Sequence, residues 1–286
     1  MATLRDVLRY IRVEHSVFAL PFVYIGILLA PGQATWSLAL LVTLTAVGAR
    51  GTAMSLNRIV DRAIDARNPR TAGRELPSGR LGLAVAWGLT VGFALLYFTS
   101  THLINPYVFR LSPIPLAVFL LYPYTKRFTW ACHIVLGVSL GIAPVGAWLA
   151  VTGGWVEMTV PLLLAFGVMF WVAGFDIIYA LLDVPFDRAN GVHSIPADLG
   201  ERTALVVSSL FHIATAGCFA AVGFIAGLGA WYWVGLAGVS LLLLYEHATL
   251  VPTDPASVNR AAFTFNGYTG FVLLAAVAAA SEWGVL

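Results

Sequence analysis

WSLALLVTLTAVGARGTAMSLNRIVDRAID, residues 36–65, decides the class of this fold. Residues 36–57 form an apolar run whose only charge is Arg50. At 1.5 Å per helical residue such a run crosses the roughly 30 Å hydrocarbon core of a bilayer. The run then changes character and ends in Asn57-Arg58-Ile59-Val60-Asp61-Arg62-Ala63-Ile64-Asp65, an NxxxDxxxD pattern. Residues four apart share one helical face, so Asn57, Asp61 and Asp65 form a ladder of oxygen-bearing groups where the apolar run stops.

The same apolar grammar recurs along all 286 residues. Nine runs are expected to be membrane helices, at 14–31, 36–57, 81–101, 104–123, 130–151, 158–182, 203–226, 230–250 and 262–282. Turn chemistry separates them, at Pro31-Gly32, Thr152-Gly153-Gly154 and Gly227 to Gly229. The fourth run is interrupted by Pro106, Pro113 and Pro115 and contains Arg110. Composition agrees: 59% of residues are hydrophobic and 10% charged, with mean hydropathy +0.86. A soluble domain carries roughly 25% charged residues to cover its surface. The chain therefore reads as an all-α polytopic membrane protein forming a single domain, 1–286. A net charge of +2 gives no support to a nucleic-acid partner.

Basic residues set the expected orientation. With the N-terminus inside, fourteen of the sixteen fall on inner segments, Arg50 and Arg110 lie within spans, and the outer loops hold none. The N-terminus is expected in the cytoplasm and the C-terminus outside. Arg5, Arg9 and Arg12 recur beside Leu4, Leu8 and Ile11, as in an amphipathic interfacial segment and unlike a cleaved signal peptide. Cys132 and Cys218 lie in apolar runs and read as packing residues. Outer connections are short, whereas the inner loops 58–80 and 183–202 are long and polar, the mark of a working surface.

A second ladder ends the sixth run: Asp176-Ile-Ile-Tyr179-Ala-Leu-Leu-Asp183-Val-Pro-Phe-Asp187. Both ladders follow even-numbered runs, so both are expected on the cytoplasmic side. Hard oxygen ligands of this kind suit Mg²⁺, which binds through a few carboxylates and substrate phosphates. For one ladder alone, a solvated helix end with Arg58 and Arg62 as partners serves equally well. Two ladders on one side point to a pair of metals holding one diphosphate. Arg70, Arg74 and Lys126 are the candidate phosphate contacts. Arg58, Arg80, Arg127 and Arg260 read as ordinary inner-face charges.

Arg50 lies two turns from Asn57 on the same face and deeper in the membrane, where a charge is costly. It either serves the site or pairs with a buried acid such as Glu246 or Asp176. Phe175 and Tyr179 neighbour the second ladder, where a π face could shield a cation or simply pack. His193, in Gly191-Val-His-Ser-Ile-Pro-Ala, fits a loop-ordering role better than that of a base.

These motifs, with the strings Asp65-Ala-Arg-Asn-Pro-Arg-Thr-Ala-Gly-Arg-Glu-Leu-Pro-Ser-Gly and Asp176-Ile-Ile-Tyr-Ala-Leu-Leu-Asp, resemble the UbiA superfamily of intramembrane prenyltransferases. The strings look like its 4-hydroxybenzoate polyprenyltransferase branch and its menaquinone-pathway relatives. The resemblance implies nine helices around a central cavity capped by cytoplasmic loops, and transfer of a prenyl group from a prenyl diphosphate to a small aromatic acceptor. It implies that Asp61, Asp65, Asp183 and Asp187 hold Mg²⁺, and that Asn57, Arg70, Arg74 and Lys126 bind the diphosphate. Asp176, Tyr179 and Arg50 would serve catalysis at the acceptor. Leu182 and Pro185 depart from the pattern, and Pro185 is expected to disturb the helix between Asp183 and Asp187. The alternatives are another acceptor (dihydroxynaphthoate, haem, chlorophyllide or a glycerol lipid) or a secondary transporter with buried carboxylates. Transporter sites lie near the midplane at broken helices, whereas these acids cluster at one boundary.

Overall fold

The computed structural model describes residues 3–12 and 18–281, and every regular element among them is helical. In chain order they begin with α1 (Leu4–Tyr10), α2 (Leu20–Leu29), α3 (Trp36–Val60), α4 (Arg62–Arg67), α5 (Leu83–Ile104), α6 (Pro106–Leu111) and α7 (Pro113–Thr125). They continue with α8 (Cys132–Thr152), α9 (Thr159–Ala180), α10 (Val184–Asn190), α11 (Ile195–Leu199) and α12 (Glu201–Ile225). The last are α13 (Ala230–Thr249), α14 (Pro255–Asn259) and α15 (Asn266–Ala280). A 3-10 turn, Leu181–Asp183, links α9 to α10, and a π-helix, Arg260–Phe265, links α14 to α15.

Among the described residues, seven helical stretches are long and apolar enough to cross a membrane: Trp36–Val60, Leu83–Ile104, Pro106–Thr125, Cys132–Thr152, Thr159–Asn190, Glu201–Ile225 and Pro255–Ala280. Each of the nine expected runs contains helix, but two fall outside those seven. Leu20–Leu29 is ten residues long, and residues 14–17 of its run lie outside the described residues. Ala230–Thr249 has the length but carries Glu246 and His247 near its end. Residue 282 of the ninth run also lies outside the described residues. Large apolar side chains stand more than half exposed along these helices, among them Leu95, Ile213, Phe224 and Leu241. A surface of that kind is stable against lipid and not against water. The chain is a polytopic membrane protein.

Pro106, Pro113 and Pro115 fall at the starts of helices rather than breaking them, while Pro123 lies inside α7. Asn105 caps α6 by accepting the Val108 N–H at 2.8 Å, and Pro106 occupies the first turn, where no N–H is required. Pro113 opens α7 in the same way.

Packing divides the chain into two compact units. The first comprises α1 and Leu40–Tyr124, and the second comprises α2 and the chain from Thr125 onward. In the first, Gly48 and Gly51 bring α3 against α5. A Cβ at Gly48 would lie 2.7 Å from the Tyr97 nitrogen, and one at Gly51 2.3 Å from the Phe93 ring. Small residues serve this purpose in membranes, where close van der Waals packing replaces the hydrophobic drive.

In the second unit α9 packs between α8 and α12, and α15 packs on α13 and α2. Gly137 and Gly141 of α8 face the α9 backbone, where added Cβ atoms would lie 2.3 Å from the Met169 carbonyl and 2.6 Å from that of Ala165. The core is aromatic. Phe22 and Trp171 have ring centroids 5.2 Å apart, as do Trp171 and Phe175. Its buried polar tips find partners: Tyr232 donates to the Phe219 carbonyl at 2.6 Å and Trp148 to that of Val156 at 2.8 Å.

Candidate active site

In the first unit the ladder forms as its spacing requires. The helix turns at Asp61, yet Asp61 N–H still reaches the Asn57 carbonyl at 2.9 Å and Asp65 N–H that of Asp61 at 2.8 Å. The three side chains keep one face, and Asn57 Nδ2 donates to Asp61 Oδ2 at 3.2 Å. Asp61 is 1% exposed and Asp65 5% exposed, so both carboxylates are removed from water. Arg74 Nη1 donates to both oxygens of Asp65, at 2.7 and 2.8 Å, and Arg58 Nη1 stands 4.0 Å away.

The loop that carries Arg74 is built by local bonds. Asn68 Oδ1 accepts from the Arg70 N–H at 2.9 Å, and the Thr71 hydroxyl donates to the Asp65 carbonyl at 3.0 Å. This folds the segment back on its own ladder. Beside it lies a cavity of about 390 Å³ lined by Arg9, Arg12, Arg58, Arg70, Gly73, Arg74 and Glu75. Five guanidinium groups around one small space, with one glutamate, make a receptor for a multiply charged anion.

Two sequence-based expectations change here. Arg58 is no ordinary inner-face charge: it is 4% exposed and faces this cavity. The N-terminal segment is more than an interfacial stretch, because Arg9 of α1 and Arg12 of the turn after it both line the cavity. Arg12 holds a positive φ of 49°, uncommon for a residue with a side chain. Tyr10 anchors α1, being fully buried against Leu76, Leu81 and Ala86, with its hydroxyl donating to the Ser55 carbonyl at 3.2 Å. Burial pushes its phenol up to about 12, against the opposing pull of the Ser55 bond and Arg58. Arg50 Nη2 reaches the Arg12 carbonyl at 3.4 Å.

In the second unit Asp176 and Tyr179 occupy the end of α9, Asp183 closes the 3-10 turn, and Asp187 lies in α10. Pro185 does what its ring requires without spoiling a helix. The α-helix ends before it, and a new one restarts at Val184 with the proline in its first turn. Asp183 precedes that helix without using its side chain as a cap. Asp187 is 7% exposed and accepts from the Ser194 hydroxyl at 3.2 Å. Phe175 is core, packed on Trp171 and Phe18, while the Tyr179 ring meets Phe263 edge-on at 4.7 Å.

His193 orders its loop. Its N–H donates to the Lys126 carbonyl at 2.7 Å and its ring meets Asp198 at 3.1 Å, which ties Lys126 to the segment after the second ladder. Asp176 has a partner that sequence reasoning missed. Its Oδ2 lies 2.7 Å from His133 Nδ1, while His133 Nε2 accepts the Ile195 N–H at 3.3 Å. That amide fixes the tautomer, because a nitrogen that accepts must lack a proton; Nδ1 therefore donates to Asp176. An ionisable residue inside an apolar run was the signal, and His133 carried it.

The UbiA prenyltransferase family model matches residues 19–268. A relative from Cronobacter sakazakii, named 4-hydroxybenzoate octaprenyltransferase, is 32% identical over 226 residues, 78% of this chain and 76% of that one. Another of the same name, from Burkholderia cenocepacia, is 31% identical over 251 residues, covering 87% and 85%. Among solved structures, the apo form of a UbiA homolog from Aeropyrum pernix K1 matches with a TM-score of 0.84 at 36% identity, over 93% of this chain and 98% of that one. A UbiA homolog from Archaeoglobus fulgidus bound to GPP and Mg²⁺ matches at 0.72 over 96% and 99%; at 18% identity this concerns the fold alone.

Proposed function

The chain belongs to the UbiA prenyltransferase family, and from that premise we propose that it transfers a prenyl group from a prenyl diphosphate to a small hydroxylated aromatic acid, 4-hydroxybenzoate or a close relative, in quinone biosynthesis. The arginine-lined cavity beside the first ladder carries the reading. Arg9, Arg12, Arg58, Arg70 and Arg74 concentrate positive charge on one small space that they share with a single glutamate, and a diphosphate complements it.

The donors present fit magnesium. Asn57, Asp61 and Asp65 in the first unit, and Asp183 and Asp187 in the second, offer only hard oxygen atoms, and three of the four carboxylates are almost fully buried. These residues would hold it. When bound, the metal supplies Lewis-acid charge against the departing diphosphate. The arginines bind the diphosphate oxygens and stabilise the charge that grows as the allylic C–O bond breaks. One such donor is worth about 3 kcal/mol in a water-poor site. Asn57 and Lys126 complete the diphosphate contacts. Asp176, held by the His133 Nδ1–H, orients the acceptor hydroxyl and takes its proton as the ring carbon bonds the allylic cation. The hydrogen on that carbon then leaves as a proton and the oxygen is reprotonated, which restores the aromatic phenol. Tyr179 and Arg50 position the acceptor ring and its carboxylate. The apolar surroundings exclude water, which would otherwise capture the allylic cation.

In this reading the whole chain, 1–286, is one catalytic domain of the inner membrane. Its N-terminus is cytoplasmic, its C-terminus external, and its site opens to the cytoplasm. The decisive experiment is prenyl transfer in detergent or nanodiscs with Mg²⁺, a prenyl diphosphate and 4-hydroxybenzoate. Asp61→Ala and Asp183→Ala should each reduce turnover by roughly three orders of magnitude while leaving a monodisperse protein. Full activity in either would refute the metal-holding role.

A further inference from the structure

A second polar cluster lies buried in the second unit, among residues that have no part in the proposed prenyl transfer. His212 of α12 and Glu246 and His247 of α13 each place one ligand atom within 4.8 Å of the others. Glu246 is fully buried and His212 is 4% exposed. Ionisable groups in an apolar helix bundle are costly, and three that converge require a chemical reason.

Each member is oriented from outside. The Trp171 indole can only donate, and it donates to Asn266 Oδ1. The amide of Asn266 is therefore turned so that Nδ2 donates to Glu246 Oε2 at 2.8 Å and to the Ala261 carbonyl at 2.9 Å. That leaves Glu246 Oε1 buried with no hydrogen-bond partner. Ser209 has one hydroxyl proton, which goes to the Leu205 carbonyl at 2.9 Å, so its oxygen accepts from His247 Nδ1 at 3.3 Å. A neutral His247 with its proton on Nδ1 presents the lone pair of Nε2, which accepts the His212 Nδ1–H at 2.9 Å. A bound metal would take the place of that proton, leaving neutral His212 protonated at Nε2. His212 itself is seated by Gly174 of α9, where a Cβ would lie 2.4 Å from its Nε2.

Two imidazole nitrogens and a carboxylate oxygen, each backed by an outer hydrogen bond or a fitted seat, form the donor set that zinc uses. Tetrahedral zinc separates such ligand atoms by about 3.3 Å, which asks the histidine pair to open by about 0.4 Å. Magnesium prefers oxygen alone and would not compete for imidazole. We propose that His212, His247 and Glu246 form a binding site for a transition-metal dication of the zinc type, separate from the oxygen-donor residues that serve the diphosphate. The ion would neutralise Glu246 and cross-brace α12 to α13, and through Asn266 it would tie both to α15. Its entry is at His247, which is only partly buried and lies in the last turn of α13.

The test uses full-length protein purified through a histidine-free tag, stripped with chelator, then given one equivalent of Zn²⁺ in excess Mg²⁺. Zinc retained after gel filtration is measured by mass spectrometry, and Co²⁺ substitution is followed by visible absorption. Wild type should retain one ion per chain and give a tetrahedral cobalt spectrum. His247→Ala, at a partly exposed position that folding tolerates, should lower the affinity at least about tenfold. Ser209→Ala should weaken it less, and Asp61→Ala should leave it unchanged. Absence of retained zinc in folded wild type, or equal retention by His247→Ala, would overturn the site. Loss of prenyl transfer in the aspartate variants has no bearing on it.

Discussion

The two carboxylate ladders look alike in sequence and are held in different ways. In the first, Arg74 grips both oxygens of Asp65, with Arg58 4.0 Å away and a cavity of guanidinium groups alongside. In the second, Asp187 receives a hydroxyl from Ser194, and Asp176 an imidazole N–H whose tautomer a backbone amide has set. The first arrangement gathers positive charge and suits an anion. The second aims single protons and suits orientation of a neutral phenol. Equal spacing of aspartates therefore does not mean equal surroundings, and under the proposed function the two ladders would serve different substrates.

Arg74 offers the largest break in that contrast. Arg74→Ala removes both the clamp on Asp65 and one wall of the cavity, leaving a buried carboxylate short of a cation. We expect kcat/KM for the prenyl diphosphate to fall at least roughly 100-fold. Arg74→Lys keeps the charge but not the fork and should recover only part of the loss. Steady-state kinetics with each substrate varied in turn would check both. An unchanged kcat/KM would mean that the first ladder does not handle the diphosphate.

The second break is smaller and belongs to the other substrate. His133→Ala removes the donor to Asp176 and should lower kcat roughly 10- to 100-fold, with KM for the prenyl diphosphate preserved. His133→Gln, whose amide can still donate, should regain much of the rate. A loss confined to diphosphate binding would contradict the division of labour between the ladders, as would failure of the glutamine variant to recover in a folded protein.

The helices and the first ladder were legible because period and hydropathy act within a short stretch of chain, where Asn57, Asp61 and Asp65 share a face by spacing alone; the second ladder is divided among α9, a 3-10 turn and α10. Pro185 was legible as a disturbance, and its actual effect, a 3-10 turn followed by a restarted helix, depends on where the proline falls within the first turn. Arg58 and the pair Arg9 and Arg12 were underestimated, because a basic residue near the inner face has the same composition whether it meets lipid phosphate or lines a cavity. His133 was overlooked because its partner lies 43 residues away, and no pattern along the chain encodes a contact between α8 and α9. The close approach that permits it rests on Gly137 and Gly141, whose effect appears only in packing.

The smallest expected effect tests how the arginine side of the contrast is assembled. Tyr10 fixes α1, and so Arg9 and Arg12, by burying its ring and donating its hydroxyl to the Ser55 carbonyl. Tyr10→Phe keeps the ring and loses only that bond, which should cost about 1 kcal/mol of stability. The change also has a pH signature. Because the folded phenol is raised to about 12 from the usual 10, the folded state holds its proton more tightly than the unfolded chain. That contribution is complete below pH 10 and is lost as pH rises towards 12, so wild type should lose stability across this window. Phenylalanine cannot ionise, and thermal unfolding of Tyr10→Phe should show a shallower alkaline decline than wild type. Parallel alkaline declines would place the α1 anchor in the ring packing alone, and the arginine shell would then owe its position to apolar burial rather than to the hydroxyl bond.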